Sequence, residues 1–166
     1  MAKIYLPAKI FDYFPWWRRP VFFLFLLSVA MPISFSIWSA LLNNFVVEMA
    51  NFTGIEIGWL QTVREIPGFL AVGVILIMIL ITEQSLAIIS LILLGLATAL
   101  TSFFPSFYGL LLTTVVGSIG FHFYETVNQS LQLQWIKKDK APEMIGWLIS
   151  AGSLASLVGY LALVVG

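Results

Sequence analysis

Residues 86–124 read LAIISLILLGLATALTSFFPSFYGLLLTTVVGSIGFHFY, a run without one formally charged side chain. At ~1.5 Å per residue a single helix of that length would reach about 58 Å, nearly twice the hydrocarbon core of a bilayer. The run must therefore fold back once. Ser102-Phe103-Phe104-Pro105-Ser106 is its only candidate turn, because Pro105 has no backbone donor and pushes its predecessor out of helical geometry. The reading is two antiparallel membrane spans, residues 86–102 and 107–134.

The flanking sequence supplies three more spans. Residues 57–82 form one that carries Arg64 and Glu65 in its first third, with Pro67-Gly68 directly behind them, and lipid will not accept that charge pair facing outward. Residues 21–47 form another, uncharged throughout and kinked at Pro32. Glu48 to Glu56, with Asn51 and Gly54, reads as the loop between these two, and Thr82-Glu83-Gln84-Ser85 as a short polar turn. After a basic loop at residues 135–142, a fifth span occupies residues 143–166, opened by Pro142-Glu143, which suit the first turn of a helix. Residues 1–20 are an amino-terminal segment ahead of the spans.

Composition agrees with this layout. Of 166 residues, 60% are hydrophobic and only 10% charged, the net charge is zero and mean hydropathy is +1.01, which excludes a soluble enzyme, a disordered tail and a nucleic-acid binder. The absence of cysteine excludes a disulfide framework, a thiolate metal site and thiol catalysis. One histidine allows neither a Ser-His-Asp set nor a His-His metal pair, and no glycine-rich phosphate loop follows a strand. The expectation is an all-α polytopic protein whose first partner is the lipid bilayer, with no enzymatic activity, no cofactor and no metal.

Orientation follows from the basic residues. Lys3, Lys9, Arg18 and Arg19 precede the first span and Lys137, Lys138 and Lys140 lie between the fourth and fifth, whereas the opposite loops hold no Lys or Arg. This puts the amino terminus in the cytoplasm, with a bacterial inner membrane as the expected location. Trp16, Trp17, Trp135 and Trp147 then mark the inner interface, and Trp59, Tyr108 and Tyr160 the outer one. Arg18-Arg19, the apolar stretch after them and Ser28-Val29-Ala30 also match the order of a cleaved signal, but the apolar run continues well past Ala30. Asn51-Phe52-Thr53 is a glycosylation sequon too close to the membrane to carry weight.

Polar residues inside the spans are the candidate working parts. Thr114, Ser118, His122, Glu125, Gln129 and Gln132 recur at threes and fours, so they share one stripe of the fourth helix and must face protein or water. Glu125 with His122 one turn away suits proton coupling or binding of a cationic or hydroxylated solute; hydrogen-bonded packing between helices is the plainer alternative. Pro32, Ser36, Ser39 and Asn43 form a weaker stripe on the first span. Asn43, Asn44, Glu48, Arg64 and Glu65 are expected to share the outer third of the membrane, with Arg64 locking the first two spans together. Gly152, Ser156, Ala155 and Gly159 in the fifth span have the small-xxx-small spacing of close helix packing.

Five spans beginning inside, a short inner turn after the second, a tight outer turn at Phe104-Pro105-Ser106 and a basic inner loop before a small-residue helix resemble the amino-terminal bundle of a major facilitator superfamily (MFS) transporter. Val63-Arg64-Glu65-Ile66-Pro67-Gly68-Phe69-Leu70 is similar to the opening of that family's second helix. Leu94-Gly95-Leu96-Ala97 through Leu110-Leu111-Leu112 and Gly117 is similar to its third and fourth. The chain departs from the family in the turn Thr82–Ser85, which lacks the usual Gly, Asp and basic residues, in Thr113 or Thr114 where many members have Arg, and in a fifth helix without a Gly-Pro pair.

The resemblance implies most of a six-helix bundle, a midplane cavity lined by the first and fourth helices, and Ser36, Ser39, His122, Glu125 and Gln129 as its lining. It also implies that the chain is an amino-terminal fragment, truncated in the fifth helix and missing its carboxy-terminal half. Function would be secondary transport of a small solute by alternating access, with a proton as candidate coupling ion. The alternative is a complete small membrane protein that serves as a ligand-binding or assembly subunit without transport.

Overall fold

The computed structural model describes residues 19–48 and 51–165. Lys3, Lys9, Trp16, Trp17, Arg18 and Gly166 lie outside them. Helix α1 spans Pro20–Glu48, α2 Gly54–Leu70, α3 Val74–Leu80, α4 Glu83–Thr101, α5 Phe107–Trp135 and α6 Ala141–Val165. With α2 and α3 taken as one crossing, five helices are long and apolar enough to span a bilayer, so the chain is an integral membrane protein of the all-α class.

Three boundaries differ from expectation, each for a local reason. The loop after α1 is shorter than Glu48 to Glu56, because the Glu56 carboxylate reaches back one turn to accept from the Thr53 backbone N–H at 2.8 Å and its hydroxyl at 3.0 Å. That cap starts α2 at Gly54. Asn51, at φ 53°, takes the left-handed turn that Asn tolerates, and the Phe52 N–H then reaches the Val46 carbonyl at 2.9 Å. The Thr82–Ser85 turn is likewise mostly helix: the Thr82 hydroxyl accepts from the Ser85 N–H and caps α4 at Glu83.

The second crossing is helical throughout but changes pitch beyond its middle. Pro67 cannot donate to the Val63 carbonyl, and the helix tightens just beyond it into a 3-10 turn at Ala71–Gly73, where the Ala71 N–H bonds the Gly68 carbonyl. The Ser106 cap of α5 matches the expected start at residue 107, its hydroxyl accepting from the Gly109 N–H at 3.2 Å.

Helices pair through small residues. On α1, Pro32 leaves the Ser28 carbonyl without its usual partner, and Gly152 of α6 lies so close that a Cβ there would sit 2.9 Å from that oxygen. One turn on, the Ser156 hydroxyl donates to the Pro32 carbonyl at 3.3 Å, and Gly159 lies against Ser36. Gly120 of α5 comes closer still to α4, its would-be Cβ 2.6 Å from the Ser90 carbonyl. The small-residue stripe of the fifth span therefore does what its spacing implies.

Candidate functional site: a cavity between two apolar clusters

The buried core divides by depth. One cluster, toward the amino-terminal end of α1, gathers Leu24 and Leu27 of α1, Leu86 and Ala87 of α4, Tyr124, Val127 and Leu131 of α5 and Leu148 of α6. The other, toward the carboxy-terminal end of α1, gathers Trp38, Leu42 and Val46 of α1, Leu60 of α2 and Leu110 of α5. Between them α5 carries Thr113, Thr114, Gly117, Ser118 and Gly120, all buried, none of which fills space as Leu does. That gap in side-chain volume leaves a cavity of about 180 Å³.

Its walls come from four helices: Phe35 and Trp38 from α1, Arg64 and Glu65 from α2, Leu94 from α4, and Gly117, Ser118, Phe121 and His122 from α5. Phe35 stacks on Phe121 at 4.8 Å between ring centroids, and His122 meets Phe121 edge-on at 5.1 Å. His122 also packs on Gly68, where a Cβ would stand 3.1 Å from its Cε1. The Ser118 hydroxyl donates to the Arg64 carbonyl and fixes α2 against α5 beside the proline break. The buried Thr114 hydroxyl, one turn from Ser118, has no hydrogen-bond partner among the described residues.

Arg64 is about 15 Å along the roughly 40 Å crossing that starts at Gly54, at ~1.5 Å per residue, and level with Ser118, a little over a third of the way through. Its guanidinium bonds Glu65 of its own helix, Nε at 3.0 Å and Nη2 at 2.9 Å, both to Oε1. The expected lock between the first two spans is therefore an intrahelical pair, and Asn43 stands exposed near the outer end of α1.

The other expected site residues separate. His122 lines the cavity. Ser36 is buried against Gly159 of α6 and donates to the Ile33 carbonyl of its own helix at 3.0 Å, so it belongs to a packing seam and not to the cavity wall. Ser39 is half-buried and not among the lining residues. Glu125 is half-buried one turn inward of His122, with no hydrogen bond to it among the described residues, and Gln129 is exposed. The aromatic walls were not legible in sequence, because in a span that is apolar all round nothing marks which Phe or Trp faces protein.

A second polar cluster lies at the end of the bundle where α4 begins and α5 ends. Glu83 is buried there and accepts from Gln134 at 2.6 Å and Ser130 at 3.3 Å, tying α4 to the last turns of α5. Sequence reading took Glu83 for an exposed turn residue. No family model, characterised protein or solved structure gives a significant match to this chain.

Proposed function

We propose that the chain forms most of the amino-terminal bundle of a secondary transporter of the MFS type, which moves a small solute by alternating access. The observation that carries the reading is the cavity lined by Arg64, Glu65, Ser118 and His122 beside a crossing whose helix changes pitch. Transporters bind near the midplane and build the site where helices lose their regular form, so that backbone groups and unfilled volume become available to a ligand. Here Pro67 and the 3-10 turn at Ala71–Gly73 follow Arg64 and Glu65, which line the cavity.

The pairing of helices supports the same reading. In the MFS type each six-helix half consists of two inverted three-helix repeats, which would exchange α1 with α5 and the α2–α3 crossing with α6. Under that exchange the α1–α6 contact maps onto the α5–α2 contact, and both are major packing pairs. Each also has a proline inside one helix, a close glycine contact and a serine donor from the partner helix: Pro32 with Gly152 and Ser156 of α6, and Pro67 with its neighbour Gly68 packed on His122 and with Ser118 of α5.

On this reading the amino terminus is cytoplasmic, in a bacterial inner membrane, and Glu125 with His122 carries the coupling proton. In a transporter of this type a second, carboxy-terminal bundle would complete the cavity. Transport is tested with the product of the intact gene in proteoliposomes under an inward proton gradient, offered an amino acid, a monocarboxylate, an amine and a sugar. Gradient-driven accumulation of one of these, lost in Glu125→Gln, is the expected result. Uptake in Glu125→Gln with unchanged pH dependence would remove Glu125 from coupling, and accumulation of none would favour the subunit reading. Because the chain has no cysteine, Lys138→Cys and Ser102→Cys report orientation: an impermeant maleimide should label residue 102 from outside intact cells and residue 138 only after lysis.

A further inference from the structure

From the geometry of the Arg64–Glu65 pair we infer that the cavity binds a small zwitterion with an apolar substituent, of the chemical class of an aliphatic or aromatic α-amino acid. The inference rests on the transport reading of the same cavity and names its solute class.

The pair is arranged unlike a closed salt bridge. Neighbouring residues on a helix do not face each other, so Arg64 must turn its guanidinium sideways to meet Glu65. It spends both Nε and Nη2 on a single oxygen, Oε1, in place of the two parallel bonds that satisfy both groups. Among the described residues the Nη1 donors of Arg64 and Oε2 of Glu65 have no partner. Both side chains line the cavity and are partly exposed, in a crossing where a charge must meet water, protein or a ligand.

The charge arithmetic then selects the ligand. A lone anion could reach Arg64 but would sit against the Glu65 carboxylate, and a lone cation would face the reverse conflict. A solute with a carboxylate and an ammonium on one carbon satisfies both, its carboxylate on Nη1 of Arg64 and its ammonium on Oε2 of Glu65. Phe35, Trp38 and Phe121, in ring contact with one another, give the same cavity an apolar part of its lining, suited to a hydrocarbon or aromatic substituent. The volume of about 180 Å³ lies below the roughly 300–1,000 Å³ of drug-sized sites, which restricts the solute to a small one.

The test is calorimetric titration of the intact chain in lipid nanodiscs with glycine, L-leucine and L-phenylalanine, alongside leucinamide as a cation and N-acetyl-leucine as an anion. L-leucine or L-phenylalanine should bind at least about tenfold more tightly than either singly charged derivative and more tightly than glycine. Arg64→Gln and Glu65→Gln should each remove that preference. Arg64→Gln should lose N-acetyl-leucine and retain leucinamide, and Glu65→Gln should do the opposite. Glu65 is exposed, so its variant keeps the fold if Arg64→Gln does not, and thermal melting of each variant shows which is folded. Equal binding of the three charge types, binding unchanged in folded variants, or no binding of any zwitterion would overturn the inference. Zwitterion binding without uptake would instead leave it standing and remove the transport reading.

Discussion

The α1–α6 and α2–α5 seams use the same parts to opposite ends. Each joins a proline-containing helix to a partner through a close glycine contact and a serine hydroxyl that donates to a backbone carbonyl of the proline-containing helix. At α1–α6 the glycines meet backbone and the neighbouring turn, Gly152 against the Ser28 carbonyl and Gly159 against Ser36, and the seam closes. At α2–α5 the glycine meets a side chain, His122, and the groups around it include Arg64 and Glu65, which need room and water. The difference teaches that a proline break with a small-residue partner is only a licence for close approach. What stands opposite the glycine decides whether the result is a joint or a site.

The largest effect that distinguishes the seams is expected from Gly152→Ala. Its methyl would meet a carbonyl oxygen that cannot rotate away, so the folded state should lose about 2 kcal/mol or more, read as a lower melting temperature in detergent. Gly68→Ala is the matched change in the open seam. There the obstacle is an imidazole that can yield into the cavity, so the stability loss should stay under about 1 kcal/mol while zwitterion binding falls. Equal destabilisation by both would erase the contrast.

Smaller effects sharpen it. Ser118→Ala and Ser156→Ala each remove one interhelical hydrogen bond, at about 0.6 kcal/mol apiece, and only Ser118→Ala should change the calorimetric titration. Ser36→Ala should lie within about 0.5 kcal/mol of the parent and bind normally, because its hydroxyl bonds its own helix. A clear binding defect in Ser36→Ala would return that residue to the cavity wall.

Much of the architecture can be read from residues alone. Uncharged runs and the turn at Pro105 give the five crossings, because bilayer thickness converts length into number of passes. The 3.6-residue spacing of Ser118 and His122 on α5 places both on the face that meets α2, and both line the cavity. The same spacing misplaces Gln129, which stands exposed between the buried Val127 and Leu131 because it lies on a side of α5 that the core does not cover. Ser36 fails for a different reason: a serine in a membrane helix can satisfy itself on the preceding turn, so its presence does not imply a cavity. Phe35, Trp38 and Phe121 were hidden because lipid and protein interior are equally apolar, which removes the contrast that marks a buried face in a water-soluble helix. Glu83 was hidden because its partners, Ser130 and Gln134, are distant in the chain and brought beside it only by antiparallel packing of α4 and α5.

The central claim is that water and solute reach mid-depth along α2–α5 and not along α1–α6. The cysteine-free chain allows it to be tested by single substitutions, Glu65→Cys and His122→Cys against Ala155→Cys and Gly159→Cys, each reacted with a hydrophilic, membrane-impermeant thiol reagent in sealed vesicles of the folded variants. Positions 65 and 122 should label, positions 155 and 159 should not, and L-leucine should slow labelling at the first pair. Equal labelling of all four positions, or labelling of 155 and 159 alone, would contradict the account.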